Sequence, residues 1–244
     1  MEIKGIFFDL GGTLFSYSGR MRGGGIGFVL KELGIQASAE EVGQAWVAAN
    51  KQVGERYGRM RYFLHRDLFR DTLTRFLVGF DHQPSEALLE EFHQRQLDAV
   101  VSQLPIREEC HDALQALKNR GLYLAIVSNI DDDYLQPLVE RNNLDGLLDH
   151  WTSSEEAQSC KPDPDIYHYC VNKSGLHKDE VLFVGDSLHH DVAGADAIGM
   201  RSARIVNEGM ETPLTHGLAV TADPTYEISE LTELLGIVEQ YSGS

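Results

Sequence analysis

The sequence predicts an α/β protein in which a doubly wound, Rossmann-like parallel sheet forms the core and an all-α helical segment is inserted. Short apolar runs at residues 6–8, 124–127 and 181–184 each end abruptly in polar residues or glycine. Runs of this length, bounded by turn signals, are typical of buried parallel strands. Helical periodicity separates them, and strands that alternate with helices favour right-handed crossovers and a parallel sheet.

The first predicted strand leads directly into a candidate site. Residues 6–8 are Ile-Phe-Phe, and they are followed by Asp9, Gly11, Gly12 and Thr13. The glycines permit a tight turn and a close approach to a ligand because they carry no Cβ, and Thr13 offers a hydroxyl to an anion. Since ligands bind beyond the carboxyl ends of strands in open parallel sheets, we expect Asp9 at the edge where a site forms.

Residues 16–104 are predicted to form a helical insertion of four or five helices. Apolar residues recur at helical spacing from Phe28 onward, and Ser38 and Glu41 have the spacing of a capping box at the start of a helix. The predicted domains are therefore an α/β core made of residues 1–15 and 105–244, and the helical insertion between its two parts.

The core is expected to resume at residue 105. The pattern predicts a helix from Cys110 to about Arg120, a strand at 122–127, a helix at 131–140 and a short strand at 151–153. It then predicts a helix around Ile166, a strand at 181–184, a helix at 192–198 and a strand at 201–206. Residues 227–240 are expected to form a final packing helix.

Three further polar segments accompany Asp9. Ser128 and Asn129 follow the apolar run at 124–127, and Lys161 lies in a Lys-Pro-Asp-Pro segment. Asp186 follows the run at 181–184, and Asp191 comes five residues later. Because several of these residues follow predicted strands, we expect them to meet at one edge of the sheet.

These four segments, in this order, resemble the motifs of the haloacid dehalogenase-like (HAD) hydrolase superfamily. The resemblance extends from about Ile3 to Val206. In that family a strand-end Asp is the nucleophile, Ser or Thr and Lys hold the transferred phosphoryl group, and a Gly-Asp-Ser-x-x-x-Asp segment supports magnesium. The resemblance also implies that the helical insertion is a cap, which covers the active site and provides substrate specificity.

The resemblance implies a role for each candidate residue. A carboxylate that attacks phosphorus divides a difficult hydrolysis into two steps, and hard oxygen ligands are those that Mg²⁺ prefers. The implied catalytic residues are Asp9, Ser128 and Lys161; the implied substrate-binding residues are Gly12, Thr13 and Asn129; and the implied Mg²⁺ ligands are Asp9, the Gly11 carbonyl, Asp186 and Asp191.

Gly11 is where the sequence departs from the family pattern. HAD phosphatases usually carry a second Asp two residues after the nucleophile, which protonates the leaving group and later activates water. Glycine can do neither, and general acid–base catalysis is worth roughly 10²- to 10⁴-fold in rate.

Four hypotheses follow from this departure. The first is a phosphatase-like enzyme that acts on good leaving groups or takes an acid from the cap, where Tyr62, His65 and Asp67 are candidates. The second is a haloacid dehalogenase, which needs no proton for halide and no magnesium. The third is chemistry like that of phosphonoacetaldehyde hydrolase, with Lys51 forming a Schiff base. The fourth is a non-catalytic domain that binds a phosphorylated ligand. The sequence favours the first, with an aspartyl-enzyme intermediate at Asp9.

Composition limits the partners. The formal net charge is −17, which argues against nucleic acid because binding to a phosphate backbone needs a basic surface. Residues 16–95 contain 11 Lys and Arg against 10 Asp and Glu, so the charge falls on the predicted core, where acidic groups suit magnesium. We expect a cytoplasmic protein with a small anionic substrate and no membrane partner, as a monomer or a homodimer.

Overall fold

The computed structural model describes residues 1–16, 25–207 and 222–241. The chain divides into two compact units. The first, Met1–Ser18 with Pro105–Ser244, is called the core unit below, and the second, Gly19–Leu104, is called the helical unit. Residues 17–24 lie outside the described ranges, so the predicted start of the insertion at residue 16 stays a prediction.

Six strands of the described residues form one all-parallel sheet in the core unit, which confirms the predicted fold class. The strands are β1 (Gly5–Phe8), β2 (Tyr123–Ser128), β3 (His150–Ser153), β4 (Val181–Gly185), β5 (Arg201–Ile205) and β6 (Tyr226–Ile228). Their order is β3-β2-β1-β4-β5-β6. The chain adds strands on one side of β1 and then on the other, so β1 lies at the point where the order reverses.

The register places the candidate residues side by side. Phe8, the last residue of β1, lies opposite Ile126 on β2 and Val184 on β4. All four residues of β1 are buried, as expected for a central strand with both faces covered. Asp9, Ser128 and Gly185 therefore reach the same edge of the sheet.

Six helices of the described residues in the core unit connect these strands or follow the last of them. They are α5 (Cys110–Asn119), α6 (Asp132–Arg141), α7 (Ser154–Ala157), α8 (Pro164–Ser174), α9 (Ala193–Ala197) and α10 (Leu234–Glu239). Their ends follow local chemistry: α8 begins after Asp163, whose side chain accepts a hydrogen bond from the Asp165 amide, and ends at Gly175 with φ of 71°. A π-helical turn, Leu188–Val192, precedes α9.

The helical unit contains α1 (Ile26–Glu32), α2 (Ala39–Tyr57), α3 (His65–Val78) and α4 (Glu86–Gln103). The predicted capping box is present at the start of α2, where the Glu41 amide donates to Ser38 Oγ at 3.2 Å. Buried residues from all four helices, among them Val29, Ala49 and Phe76, form one apolar cluster. This unit therefore has a hydrophobic core of its own.

The predicted helix at residues 227–240 is wrong in its first part. Residues Tyr226–Ile228 form β6, which pairs in parallel with β5. The Val206 amide donates to the Ile228 carbonyl at 2.8 Å, and Ile228 is buried. A short 3₁₀ turn at Leu231–Glu233 separates the strand from α10. Three residues are too few to show the alternation that reveals a strand in sequence.

None of the helices in the described ranges combines the length and the apolar composition that a bilayer-spanning helix requires.

Candidate active site

The carboxylate of Asp9 lies at the carboxyl end of β1 and receives hydrogen bonds on both oxygens. Lys161 Nζ and Ser128 Oγ donate to Oδ1 at 2.6 and 3.2 Å, and Thr13 Oγ1 donates to Oδ2 at 3.5 Å. The Asp9 amide donates to the Val184 carbonyl at 2.8 Å, which continues the ladder with β4. Asp9 is 7% exposed, so this partly desolvated carboxylate is held in one orientation.

Lys161 connects two loops of the site. Its Nζ lies 2.6 Å from Asp9 Oδ1 and also 2.6 Å from Asp191 Oδ1, and its side chain is only 2% exposed. The ammonium lies 5.4 Å from the centre of the Phe183 ring. A buried ammonium in contact with two carboxylates has its charge compensated.

Three carboxylates converge at this edge of the sheet. Oxygen atoms of Asp9, Asp186 and Asp191 lie within 4.8 Å of one another, and all three residues are buried. Three carboxylates and the Lys161 ammonium sum to a formal charge of −2 when all are ionised. This concentration of oxygen ligands and negative charge is able to hold a divalent cation.

Burial and the surplus of negative charge together account for the pKa shifts in the site. Burial opposes the charged form of Lys161, but the carboxylates of Asp191 and Asp9 outweigh burial, so the pKa of Lys161 is raised. Burial raises the pKa of Asp9; Lys161 opposes this shift, and the Asp191 carboxylate adds to it. Both shifts have the direction expected where acids outnumber bases.

Two glycines permit the close approach of these loops. Gly12 has φ of +85°, and a Cβ placed on it would lie 2.5 Å from Asp186 Cγ. A Cβ on Gly185 would collide with the side chain of Asp191. Neither position accepts a larger residue without movement of a carboxylate, which gives a physical reason for Gly in both motifs.

Asn129, a predicted substrate-binding residue, holds the backbone of Lys161. Its Nδ2 donates to the Lys161 carbonyl at 2.8 Å, and its Oδ1 accepts from the Lys161 amide at 2.7 Å. This pair of hydrogen bonds fixes the loop that carries the ammonium. A contact between Asn129 and a substrate stays a prediction, as do the contacts predicted for Gly12 and Thr13.

Sequence reasoning missed three residues that support the site. The Tyr167 hydroxyl donates to the His190 carbonyl in the turn that carries Asp191, and a Cβ on Gly194 would lie 2.6 Å from Tyr167 Cζ. Arg107 and Asn207 both donate to the Gly12 carbonyl. Tyr167, Arg107 and Asn207 belong to no motif or periodic pattern that would reveal these contacts in the sequence.

The helical unit carries the four residues that the sequence analysis named as a Schiff-base lysine or as proton donors. Lys51 is exposed on α2, His65 is buried at the start of α3, and Asp67 is exposed in its first turn. Tyr62 precedes α3 and is half-buried. Their predicted roles as a Schiff-base lysine or a source of protons stay predictions.

The comparison with protein families agrees with this geometry. The model of the haloacid dehalogenase-like hydrolase family matches residues 3–199, which include every residue of the cluster described above. The chain belongs to the haloacid dehalogenase-like hydrolase family. The resemblance deduced from the four motifs is thereby confirmed, and so is the assignment of this HAD chain as a hydrolase.

Among the relatives within the HAD family, some are named as dehalogenases and others as phosphatases. The chain is 28% identical over 240 residues to (S)-2-haloacid dehalogenase 4A of Burkholderia cepacia, covering 96% of this chain and 95% of that protein. It is 26% identical over 163 residues to phosphoglycolate phosphatase 1 of Pseudomonas aeruginosa, covering 66% and 57%. Among solved structures it is similar to L-2-haloacid dehalogenase from Xanthobacter autotrophicus with covalently bound chloropropionic acid, with a TM-score of 0.69, 25% identity, and 97% and 98% of the chains covered.

Proposed function

We propose that this HAD hydrolase is a magnesium-dependent, phosphatase-like enzyme that acts on a small anionic metabolite through Asp9. The observation that carries the proposal is the convergence of Asp9, Asp186 and Asp191, whose carboxylate oxygens lie within 4.8 Å of one another. The residues fit Mg²⁺ because the donors are hard oxygens, because the four charged side chains sum to −2, and because Gly12, which has no Cβ, lets its loop approach Asp186 closely. Asp9, Asp186, Asp191 and the Gly11 carbonyl would hold the ion, which when bound supplies positive charge to the phosphoryl oxygens.

The reaction then proceeds in two balanced steps. One oxygen of Asp9 attacks phosphorus, the bond from phosphorus to the leaving oxygen breaks, and an aspartyl-phosphate forms. Water then attacks phosphorus, the bond to Asp9 breaks, and inorganic phosphate departs with both hydrogens of the water. Ser128 and Lys161 bind the phosphoryl oxygens throughout, and the Lys161 ammonium offsets the charge that the dianion brings.

Gly11 determines the class of leaving group. Because this position offers no proton, the departing oxygen must be stable as an anion, as it is in a carboxylate or a phenolate. Acyl phosphates and aryl phosphates meet this condition, whereas an alkoxide from a simple alkyl phosphate does not. We therefore propose an anionic substrate with a weakly basic leaving group.

A second candidate is 2-haloacid dehalogenase activity. Gly11 favours it as well, since halide needs no proton, and two of the relatives named above are haloacid dehalogenases. In that reaction an Asp9 oxygen would displace halide from carbon, and water would hydrolyse the resulting ester. Displacing halide requires no divalent cation, so this reaction does not by itself account for the convergence of Asp186 and Asp191 on Asp9.

One variant separates the two candidates. Purified protein is assayed for phosphate release from acetyl phosphate and p-nitrophenyl phosphate with Mg²⁺ or with EDTA, and for chloride release from (S)-2-chloropropionate with EDTA. Asp186→Asn should abolish Mg²⁺-dependent phosphate release if the first proposal is correct, and should spare chloride release if the second is. Asp9→Asn should remove either activity by more than about 10⁴-fold, as loss of a nucleophile does. Chloride release by the wild type without phosphate release would reject the phosphatase.

A further inference from the structure

The carbonyl of Gly12 is held by two side chains from distant parts of the core unit. Arg107 Nη2 donates to it at 3.1 Å and Asn207 Nδ2 at 2.8 Å. Arg107 also donates to Asn207 Oδ1, so that the three groups form one closed network. The Arg107 side chain is 15% exposed, and its guanidinium is therefore largely withdrawn from water to serve this carbonyl.

Backbone pairing brings Arg107 to the loop that follows Asp9. The Arg107 amide donates to the Leu14 carbonyl at 3.0 Å, and the Ser16 amide donates to the Pro105 carbonyl at 2.8 Å. Phe15 and Ile106 form an antiparallel bridge between these two bonds. The backbone hydrogen bonds thus hold Arg107 beside this loop, and its guanidinium then holds the carbonyl of Gly12.

The opposite side of Gly12 is fixed as well. Its amide donates to the Phe15 carbonyl at 2.6 Å. In a trans peptide the C=O points opposite to the N–H, so this bond turns the Gly11 carbonyl away from Phe15. With both its amide and its carbonyl bonded, Gly12 keeps the φ of +85° that lets it lie against Asp186.

We infer that Arg107 and Asn207 are positioning residues that set the affinity of the site for Mg²⁺ by holding the Gly12 peptide. This inference rests on the proposed function. When either donor is lost, Gly12 gains rotational freedom, and the Gly11 carbonyl and the Asp186 carboxylate no longer share one fixed arrangement. Groups that orient metal ligands commonly change metal affinity by about 10- to 100-fold when removed.

The test compares Arg107→Gln, Asn207→Ala and the double variant with Arg120→Gln. Arg120 is a matched control because its Nη1 also donates to a backbone carbonyl, that of Leu235, at 2.8 Å and its Nη2 pairs with Glu239. The dissociation constant of Mg²⁺ is measured by titration calorimetry without substrate, and the urea midpoint is measured for each protein. We expect Mg²⁺ binding to weaken about 10-fold in Arg107→Gln and in Asn207→Ala, which are called the Gly12-contact variants. The double variant should lose less affinity than the product of the two single losses, because both side chains hold the same carbonyl. Arg120→Gln should keep the wild-type constant.

A conservative substitution at Arg107 should restore part of the Mg²⁺ affinity. Arg107→Lys retains a donor and should bind Mg²⁺ more tightly than Arg107→Gln. If the Gly12-contact variants lose urea stability as Arg120→Gln does but bind Mg²⁺ as the wild type does, the two residues are structural only and the inference is overturned. If the wild type itself takes up no Mg²⁺, the proposed function fails first, and the failure is recognisable because it appears before any substitution.

Discussion

Gly12 and Asp186 pack so closely that a single methyl group does not fit between them. A Cβ on Gly12 would lie 2.5 Å from Asp186 Cγ, and the φ of Gly12 is +85°. We expect Gly12→Ala to weaken Mg²⁺ binding. We also expect it to lower the free energy of unfolding by more than the strain of a positive φ would, because the new methyl group also collides with Asp186. Gly121→Ala is the matched control, because Gly121 has φ of +78° with nothing within 4 Å of its Cβ position; it should cost only about 1–2 kcal/mol. Equal losses of stability in urea, with unchanged Mg²⁺ binding, would contradict this reading.

Removal of the Lys161 ammonium should destabilise the fold. Its Nζ contacts Asp9 and Asp191, whose side chains are 10% and 2% exposed. Lys161→Met leaves these carboxylates facing each other without a cation, and breaking a buried pair costs about 3–5 kcal/mol. Urea denaturation at neutral pH measures the loss. Adding Asp191→Asn should recover part of it, because one unpaired charge is then gone; a double variant no more stable than Lys161→Met would argue against charge as the cause.

Gly11→Asp should place a proton donor at the position where the proposed reaction has none. An Asp at this position follows the nucleophile by two residues, and general acid catalysis is worth roughly 10²- to 10⁴-fold. We expect the largest increase in kcat with alkyl phosphates, whose leaving groups need a proton, and a small change with acetyl phosphate. Gly11→Asn controls for size without an acidic proton. A flat response to Gly11→Asp would indicate that another group already protonates the leaving oxygen.

His150 should make stability depend on pH. Burial and the Lys173 ammonium lower its pKa to about 4, and its Nδ1 lies 2.7 Å from the Tyr123 hydroxyl. The folded protein therefore keeps His150 neutral at pH values where the unfolded chain, with an ordinary pKa of about 6.5, takes up a proton. Its contribution is fully present above about pH 6.5 and is lost as pH falls toward 4.

The check is a comparison of unfolding free energies at pH 7 and pH 5. His150→Gln cannot titrate, so the wild type should lose more stability over this interval than the variant does. The carboxylates titrate in both proteins and cancel in the difference. Parallel pH profiles would show that His150 is not kept neutral by its surroundings.

The sequence predicted which residues meet at one edge of the sheet because the signals for the strand ends are local. Apolar runs that end in Asp9, Ser128 and Gly185 mark strand ends, and parallel strands bring those ends together whatever the connections between them are. The expectation that Lys161 lies close to Asp9 came from the family motif and not from any periodicity in the chain.

The remaining details depend on contacts between distant residues. Arg107 and Asn207 lie 95 and 195 positions from Gly12, and a lone Arg or Asn carries no periodicity that predicts such a contact. The strand Tyr226–Ile228 was missed for a related reason, since its pairing with β5 and not its composition makes it extended. The reaction was left open by the residue that departs from the pattern, Gly11.

The seam between Ser16 and Pro105 has a consequence for how such proteins diversify. The Ser16 amide donates to the Pro105 carbonyl at 2.8 Å, so the chain leaves the sheet and returns to it through hydrogen-bonded neighbours. The two ends of any segment inserted at this point are therefore held together by the core. Each doubling of the length of the inserted segment raises the entropic cost of loop closure by only about 0.6 kcal/mol. Evolution can therefore replace the intervening helices with a shorter or a longer insertion while the residues around Asp9 keep their arrangement.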